Sequence, residues 1–365
     1  MTSYIIRRLL LIIPTLFGIL VINFFIIQFA PGGPVERIIA KYSFGASDPI
    51  MRTSGKSADG NKTAVQSGGA KGVYRGSEAL NPAIIKELEI QFGFDKPAHE
   101  RFINMVWDYL CFDFGKSYYR NETVLNIIKE KLPVSLSLGL WSTFIMYLIS
   151  IPLGIRKAVK DGTPFDAWSS FMVNVFYAIP GFILAVLLIV FFAGGSYFHI
   201  FPVRGLISNN WDELSSTAKI LDYIWHITLP VICITLPGFA TMTMLTKNFF
   251  MDEIHKLYVV TARSKGLTEN GVLYKHVFRN AMLIVISSFP MAFITAIFTG
   301  SMLIEVIFSL DGLGLMGFQA VLERDYPIIF ATLYIYTLMG LLMKLVSDIL
   351  YTVIDPRIDF ESRGV

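Results

Sequence analysis

The residues best suited to chemistry are few and scattered. The five histidines, His99, His199, His226, His255 and His276, do not recur at the i, i+4 spacing of a metal-ligating pair. The two cysteines, Cys111 and Cys233, are too few for a zinc site, and only Cys233 falls in an apolar run, which argues against a disulfide between them. Two Gly-Lys-Ser triplets, Gly55-Lys56-Ser57 and Gly115-Lys116-Ser117, suggest a phosphate-cradling loop. Such a loop requires a glycine five residues before its second glycine, and Ile50 and Leu110 stand there instead. The sequence shows no Ser-His-Asp or paired-carboxylate constellation and no run of carboxylates suited to a proton relay. The expectation is a chain without catalytic residues, metal or cofactor of its own.

Composition explains the scarcity. Of 365 residues, 54% are apolar and 16% charged, and the mean hydropathy is +0.57. Soluble domains carry about 25% charged residues. The net charge of +3, with no basic block, excludes nucleic-acid binding as the main task. The class that remains is all-α integral membrane protein.

A crossing helix needs about 20 mostly apolar residues. Six segments qualify: Leu9–Phe29, Val134–Ile155, Trp168–Ala193, His226–Thr246, Ala281–Ile304 and Ile328–Val353. The fourth contains Pro230 and Pro237, which a membrane bundle tolerates. The first has a longer apolar stretch than a secretory signal and no A-x-A site, so it reads as uncleaved. Within the spans, Asn23, Gln28 and Asn174 read as interhelical hydrogen-bonding groups, and Lys344 and Asp348, four apart, as a pair within the sixth span.

With the N-terminus in the cytoplasm, the inside segments hold 13 basic residues and the two short outside loops, 194–225 and 305–327, hold 3. The chain then divides into a cytoplasmic N-terminus and first span (1–29), a periplasmic insertion (30–133), spans two to six (134–353) and a cytoplasmic tail (354–365). Segment 43–79 is rich in Gly, Ser, Ala and Lys and reads as mobile. From Pro82 onward, Ile84, Ile85, Leu88 and Phe92, then Phe102, Val106, Tyr109 and Leu110, have helical spacing and predict a small cap.

The informative inside segment is Asp252 to Asn280. Asp252-Glu253 predict a helix start. Ile254, Leu257, Tyr258, Thr261 and Ala262 predict one stripe, Arg263 and Lys265 fall in the last turn, and Gly266 sits at the capping position. A second short helix is predicted from about Thr268 to Arg279, with Leu273 and Val277 facing one way. Standing alone, the segment is equally compatible with a helix lying on the membrane surface.

Val260-Thr261-Ala262-Arg263-Ser264-Lys265-Gly266 resembles the glycine-centred loop of ABC importer permeases, E-A-A-x-x-x-G followed by I-x-L-P. Val260 replaces the glutamate, and His276-Val277-Phe278-Arg279 replaces I-x-L-P, as in the oligopeptide and dipeptide branch. The resemblance extends to Arg7-Arg8-Leu9-Leu10 through Pro31-Gly32-Gly33-Pro34, to Phe114-Gly115-Lys116-Ser117 through Leu132-Pro133, to Arg324-Asp325-Tyr326-Pro327 and to Asp355-Pro356-Arg357. Gly33 and Asp311 depart from the usual P-G-D-P and S-x-P-G-L-G. Together with the long insertion, these features look most like the microcin C and oligopeptide importer permeases of Gram-negative bacteria.

The resemblance implies six transmembrane helices of the ABC-importer permease type in the bacterial inner membrane. It implies a second permease, ABC ATPase subunits or a fused ATPase that uses ATP and Mg, a periplasmic peptide-binding protein, and a peptide substrate moved inward. It assigns ATPase coupling to Tyr258, Thr261, Ala262, Arg263, Lys265, Gly266 and Leu267, and leaves the substrate-binding residues unknown. An ion-coupled secondary transporter is the alternative; it calls for ion-coupling residues and internal repeats, neither of which is visible in the sequence.

Overall fold

A computed structural model describes residues 2–29, 96–120, 122–194, 197–298 and 302–354. The segment 43–79, the cap residues Ile84 to Phe92, the Gly55 triplet, Pro31-Gly32-Gly33-Pro34, the Gln28 side chain and the tail from Asp355 lie outside the described residues. In chain order the helices are α1 (Thr2–Phe29), α2 (Ala98–Leu110), α3 (Val124–Val159), α4 (Pro164–Ala178), α5 (Gly181–Phe192), α6 (Ser216–Ile254), α7 (Leu257–Ser264) and α8 (Glu269–Val272). A π-turn, Leu273–Val277, runs from α8 into α9 (Phe278–Phe298), followed by α10 (Met302–Ile307), α11 (Leu313–Glu323) and α12 (Tyr326–Ile354). Among the described residues, five stretches are long and apolar enough to cross a membrane: Tyr4–Ile27, Val124–Val159, Ser216–Ile254, Glu269–Ile307 and Tyr326–Ile354.

The third predicted span is not one straight helix. α4 and α5 meet at 91°. Pro180 has no N–H to continue α4 and drives Ile179 into an extended conformation, φ −88° and ψ 114°. The bend also answers a packing demand. Pro237 inside α6 leaves the Cys233 carbonyl without its helical donor, and Gly181 packs against that carbonyl so closely that a Cβ would stand 2.8 Å from it. Asn174, read as an interhelical group, is exposed. α6 itself stays helical through both of its prolines.

The chain forms two units: residues 1–16, 125–319 and 332–365, and residues 17–124 and 320–331. Among its described residues, the first has a small apolar cluster of Val173, Phe239 and Ala240 and two larger cores. Leu138, Ala185, Leu229, Cys233, Ile304 and Phe308 form one, and Tyr147, Ile155, Phe250, Val259, Val272 and Val277 belong to the other. Glu305, which the sequence places just beyond the fifth span, is instead 0% exposed within α10. Its carboxylate accepts from Ser135 Oγ at 3.1 Å and from the Leu315 N–H at 2.7 Å. An anion at the first turn of α11 suits the helix dipole.

In the second unit the Gly115 triplet forms no phosphate cradle. Gly115 N–H donates to the Asp113 carboxylate at 3.0 Å, and Ser117 N–H donates to the Glu122 carbonyl at 3.0 Å. Ser117 Oγ and the Tyr118 N–H both donate to Asp325, whose carboxyl burial pushes above its ordinary range. This contact supplies a reason for the Asp in Arg324-Asp325-Tyr326-Pro327.

The predicted Lys344–Asp348 pair is replaced by a contact between spans. Asp348 takes Tyr4 Oη at 2.9 Å and Arg8 Nη2 at 3.3 Å from α1, and Lys344 is exposed. Within α12 the four-residue spacing lost to a guanidinium that brings a second hydrogen bond through Tyr4. Asp348→Leu is therefore expected to weaken the α1 tether, and Lys344→Leu to stay within about 0.5 kcal/mol of the parent. Limited proteolysis of the N-terminal segment in solubilised protein separates the two: Asp348→Leu is cut faster and Lys344→Leu is not.

Candidate functional site

The loop after α6 is built in three pieces. α6 runs on through Asp252 and Glu253 to Ile254, so these acids close a long helix rather than open a short one. The apolar residues before them, Phe249 to Met251, carry the helix past the charges. Glu253 then ties the corner together, accepting from Lys256 Nζ and from Tyr258 Oη at 2.6 Å. Burial and this carboxylate push the Tyr258 hydroxyl up to about 12, so it remains a donor at neutral pH.

α7 anchors one face and presents the other. Val259 and Ala262 are buried against Phe250, Val272, Val277 and Ala281. Tyr258 is half-buried on the same side. Leu257 is 83% exposed and Val260 is 51% exposed, and Thr261, Ser264 and Lys265 are exposed with them. The predicted stripe is thus split. Ile254, Tyr258 and Ala262 hold the helix, whereas Leu257 and Thr261 face outward. Spacing alone places all five on one broad face, and only the packing partners separate its two edges.

Gly266 ends α7 with φ +81°. The Gly266 N–H donates to the Arg263 carbonyl at 2.9 Å and the Leu267 N–H to the Ala262 carbonyl at 3.4 Å. This is the 5→2 and 6→1 pair of a Schellman cap. A left-handed residue is required there, and glycine adopts it at no steric cost. Across the cap the Arg263 guanidinium grips Glu269, Nε to Oε1 at 3.0 Å and Nη2 to Oε2 at 3.0 Å. Thr268 Oγ1 caps α8 by accepting the Gly271 N–H at 3.3 Å.

The predicted second short helix proves to be the start of the next span. α8 passes through the π-turn directly into α9. Val272 and Val277, five residues apart, are both buried, which suits the wider i→i+5 turn; Leu273 is only half-buried. Tyr274, with no role in the sequence reading, is exposed.

The seven sequence-chosen residues therefore divide by role. Thr261, Lys265, Gly266 and Leu267 are exposed, Arg263 is held by Glu269, Tyr258 braces the corner and Ala262 is core. Sequence reasoning missed Val260 and Tyr274 as surface groups. Ala262→Leu is expected to cost about 1–3 kcal/mol through overpacking, lowering the melting temperature of the solubilised protein. Leu257→Ser is expected to leave that temperature unchanged.

A separate cavity of about 510 Å³ lies between α3, α6 and α9. Ser142, Thr143, Thr235 and Ser288 supply hydroxyls, Met146 and Met291 supply flexible apolar wall, and no charged group lines it.

Several apolar crossing helices define a multi-pass membrane protein whose loop after α6 is anchored on one face and exposed on the other. Residues 150–360 match the family described as "Binding-protein-dependent transport system inner membrane component". The chain belongs to that family, the inner-membrane permease subunits of ABC importers. It is 58% identical over 364 residues to the inner membrane ABC transporter permease protein YejB of Escherichia coli O157:H7, covering 100% of both chains. It is 58% identical over 368 residues to the peptidoglycan transport system permease protein YejB of Agrobacterium fabrum, again covering 100% of both. It is 31% identical to the oligopeptide transport system permease protein AppB of Bacillus subtilis, covering 99% of this chain and 100% of that one.

Proposed function

We propose that this chain is the permease subunit of an ATP-driven importer for oligopeptides or peptide-like compounds, with α7 and the Gly266 cap as its ATPase-docking element. The observation that carries this reading is the exposure of Leu257 and Val260 on a helix whose opposite face is locked into the core. An apolar pair held out rigidly on a loop is suited to fill a groove in a partner. ATP and Mg belong to that ATPase, one fused chain or two, and this chain contributes no catalytic group. A second permease completes the path, and a periplasmic binding protein delivers the peptide.

The names of the relatives support the substrate class. One is named for oligopeptides and another for peptidoglycan, a peptide-bearing polymer. The microcin C-like reading from the sequence falls within the same chemistry. The uncharged hydroxyl and methionine lining of the cavity supports a passage tolerant of varied side chains. The excess of inside basic residues supports cytoplasmic termini and a cytoplasmic coupling loop.

The mechanism follows from rigidity. Closure of the ATPase around ATP displaces α7, and the Glu253–Tyr258 and Arg263–Glu269 contacts pass that displacement to α6 and α9 as one body. The spans rock between two openings, biased by the differential affinity of the docked ATPase for each. The test is reconstitution of the full complex in vesicles. Uptake of labelled peptide should require internal ATP and the binding protein and persist when ion gradients are collapsed. Uptake driven by an ion gradient without ATP supports the secondary transporter and overturns the proposal.

A further inference from the structure

α2 lies within the insertion, yet its packing places it at bilayer depth. Its Phe102 ring stands edge-on to two rings of α1, 5.8 Å from Phe17 and 5.2 Å from Phe24. The crossing stretch of α1 is Tyr4–Ile27. At 1.5 Å per residue, Phe17 sits about 2 Å from its midpoint and Phe24 about 13 Å. Both lie inside the roughly 15 Å half-thickness of the hydrocarbon core. A helix touching both is therefore seated against the membrane, not held away from it.

The rest of α2 sorts into three stripes. Phe102, Val106 and Tyr109 pack inward, Tyr109 against Phe114 with ring centroids 5.1 Å apart. Leu110, placed on this stripe by the sequence, is not part of it. It joins Ile103 and Trp107, which are 63% and 68% exposed. The third stripe, Glu100, Asn104 and Asp108 at successive i+4 steps, is polar and exposed. An uncovered apolar stripe beside a polar one is the pattern of a helix at the boundary of lipid and water, with the indole placed where Trp is favoured. The apolar stripe is continuous in character with α1, where Ile13, Phe17 and Phe25 are exposed along the crossing stretch.

We propose that α2 is an interfacial helix that seats Ile103, Trp107 and Leu110 in the acyl region of the leaflet reached by the C-terminal half of α1. Its occupant is lipid. The helix anchors the end of the insertion to the bilayer, and its acidic stripe faces water.

The test uses the full importer complex in vesicles, with Cys111→Ser and Cys233→Ser. Ile103→Cys, Trp107→Cys, Leu110→Cys, Glu100→Cys, Asn104→Cys and Asp108→Cys are introduced singly and nitroxide-labelled. The first three are expected to collide with oxygen more than with a water-soluble nickel chelate, and the last three the reverse. Nickel access at the first three shows a water-exposed stripe and overturns the proposal. Exclusion of both reagents there shows cover by residues 30–95 or a partner protein and also overturns it. Where a cysteine variant fails to fold, native Trp107 replaces it. With Trp141, Trp168, Trp211 and Trp225 changed to Phe, quenching of Trp107 by brominated acyl chains is expected, and its absence refutes lipid contact.

Discussion

Gly266→Val is expected to abolish the stimulation of ATP hydrolysis by the loaded binding protein, and peptide uptake with it, while the protein still inserts and assembles. The strain is local. At φ +81° an L-residue is disfavoured by about 1–2 kcal/mol, and β-branching adds to this. Beyond its two chain neighbours, no described atom stands within 4 Å of a Cβ built there, so crowding inside the subunit is not the cause. Valine must instead unwind the cap, releasing the Gly266–Arg263 and Leu267–Ala262 hydrogen bonds and re-aiming Leu267. About 1.4 kcal/mol of misalignment is a tenfold loss in docking. Gly266→Asn, whose side chain tolerates the left-handed region, should keep most of the coupling. Full stimulation by Gly266→Val in reconstituted complexes would favour a loop lying on the membrane surface.

The second large effect is expected at the turn between α3 and α4. Lys157 is 0% exposed, and its ammonium contacts the Asp166 carboxylate at 3.0 Å, Ser170 Oγ at 2.6 Å and Ser169 Oγ at 3.0 Å. The other Asp166 oxygen takes Lys247 Nζ of α6 at 2.7 Å, and Lys247 also reaches Asp161 at 2.8 Å. Two lysines and two aspartates thus balance in charge and fasten the turn to α6. Asp166→Asn leaves Lys157 buried without a counter-charge, at a cost of about 3–5 kcal/mol. Lys157→Met with Asp166→Leu removes both charges of the buried pair. Thermal unfolding of the solubilised protein should show the single change far more damaging than the double. Equal damage would mean that packing around these residues, not the stranded ammonium, sets the cost.

That network also shows where the sequence was legible and where it was not. Among the described residues, hydropathy located the five stretches long and apolar enough to cross, because each needs its own run of apolar residues. It could not reveal the 91° break, since α4 and α5 are both apolar and the cause is local, at Ile179-Pro180 facing the Cys233 carbonyl. Lys157 was readable only as one more basic residue on the inside of the membrane. Its burial depends on Asp166 and on two serines that no periodicity connects to it. Glu305 was hidden the same way, because its partner Ser135 lies 170 residues away and the Leu315 N–H is a backbone group that no side-chain pattern records. Asp348 found Arg8 and Tyr4 rather than its own helix neighbour.

At the loop, local chemistry was readable and facing was not. Gly266 was legible because a helix end and a basic last turn precede it, and both are features of adjacent residues. The outward direction of Leu257 was not, since hydrophobic spacing registers an apolar residue equally whether it meets its own core or another protein. The same ambiguity placed Leu110 with the packed residues of α2.

The most direct measurement is the accessibility of the α7 outer face with and without the ATPase. Leu257→Cys and Val260→Cys, in a background of Cys111→Ser and Cys233→Ser, are each exposed to a membrane-impermeant maleimide in inside-out vesicles. Both should react readily in the permease pair alone and become protected once the ATPase binds, with exposed Arg7→Cys, in the segment read as cytoplasmic, as a control outside the loop. Unchanged labelling of Leu257→Cys and Val260→Cys in a complex shown to contain the ATPase would contradict docking through α7.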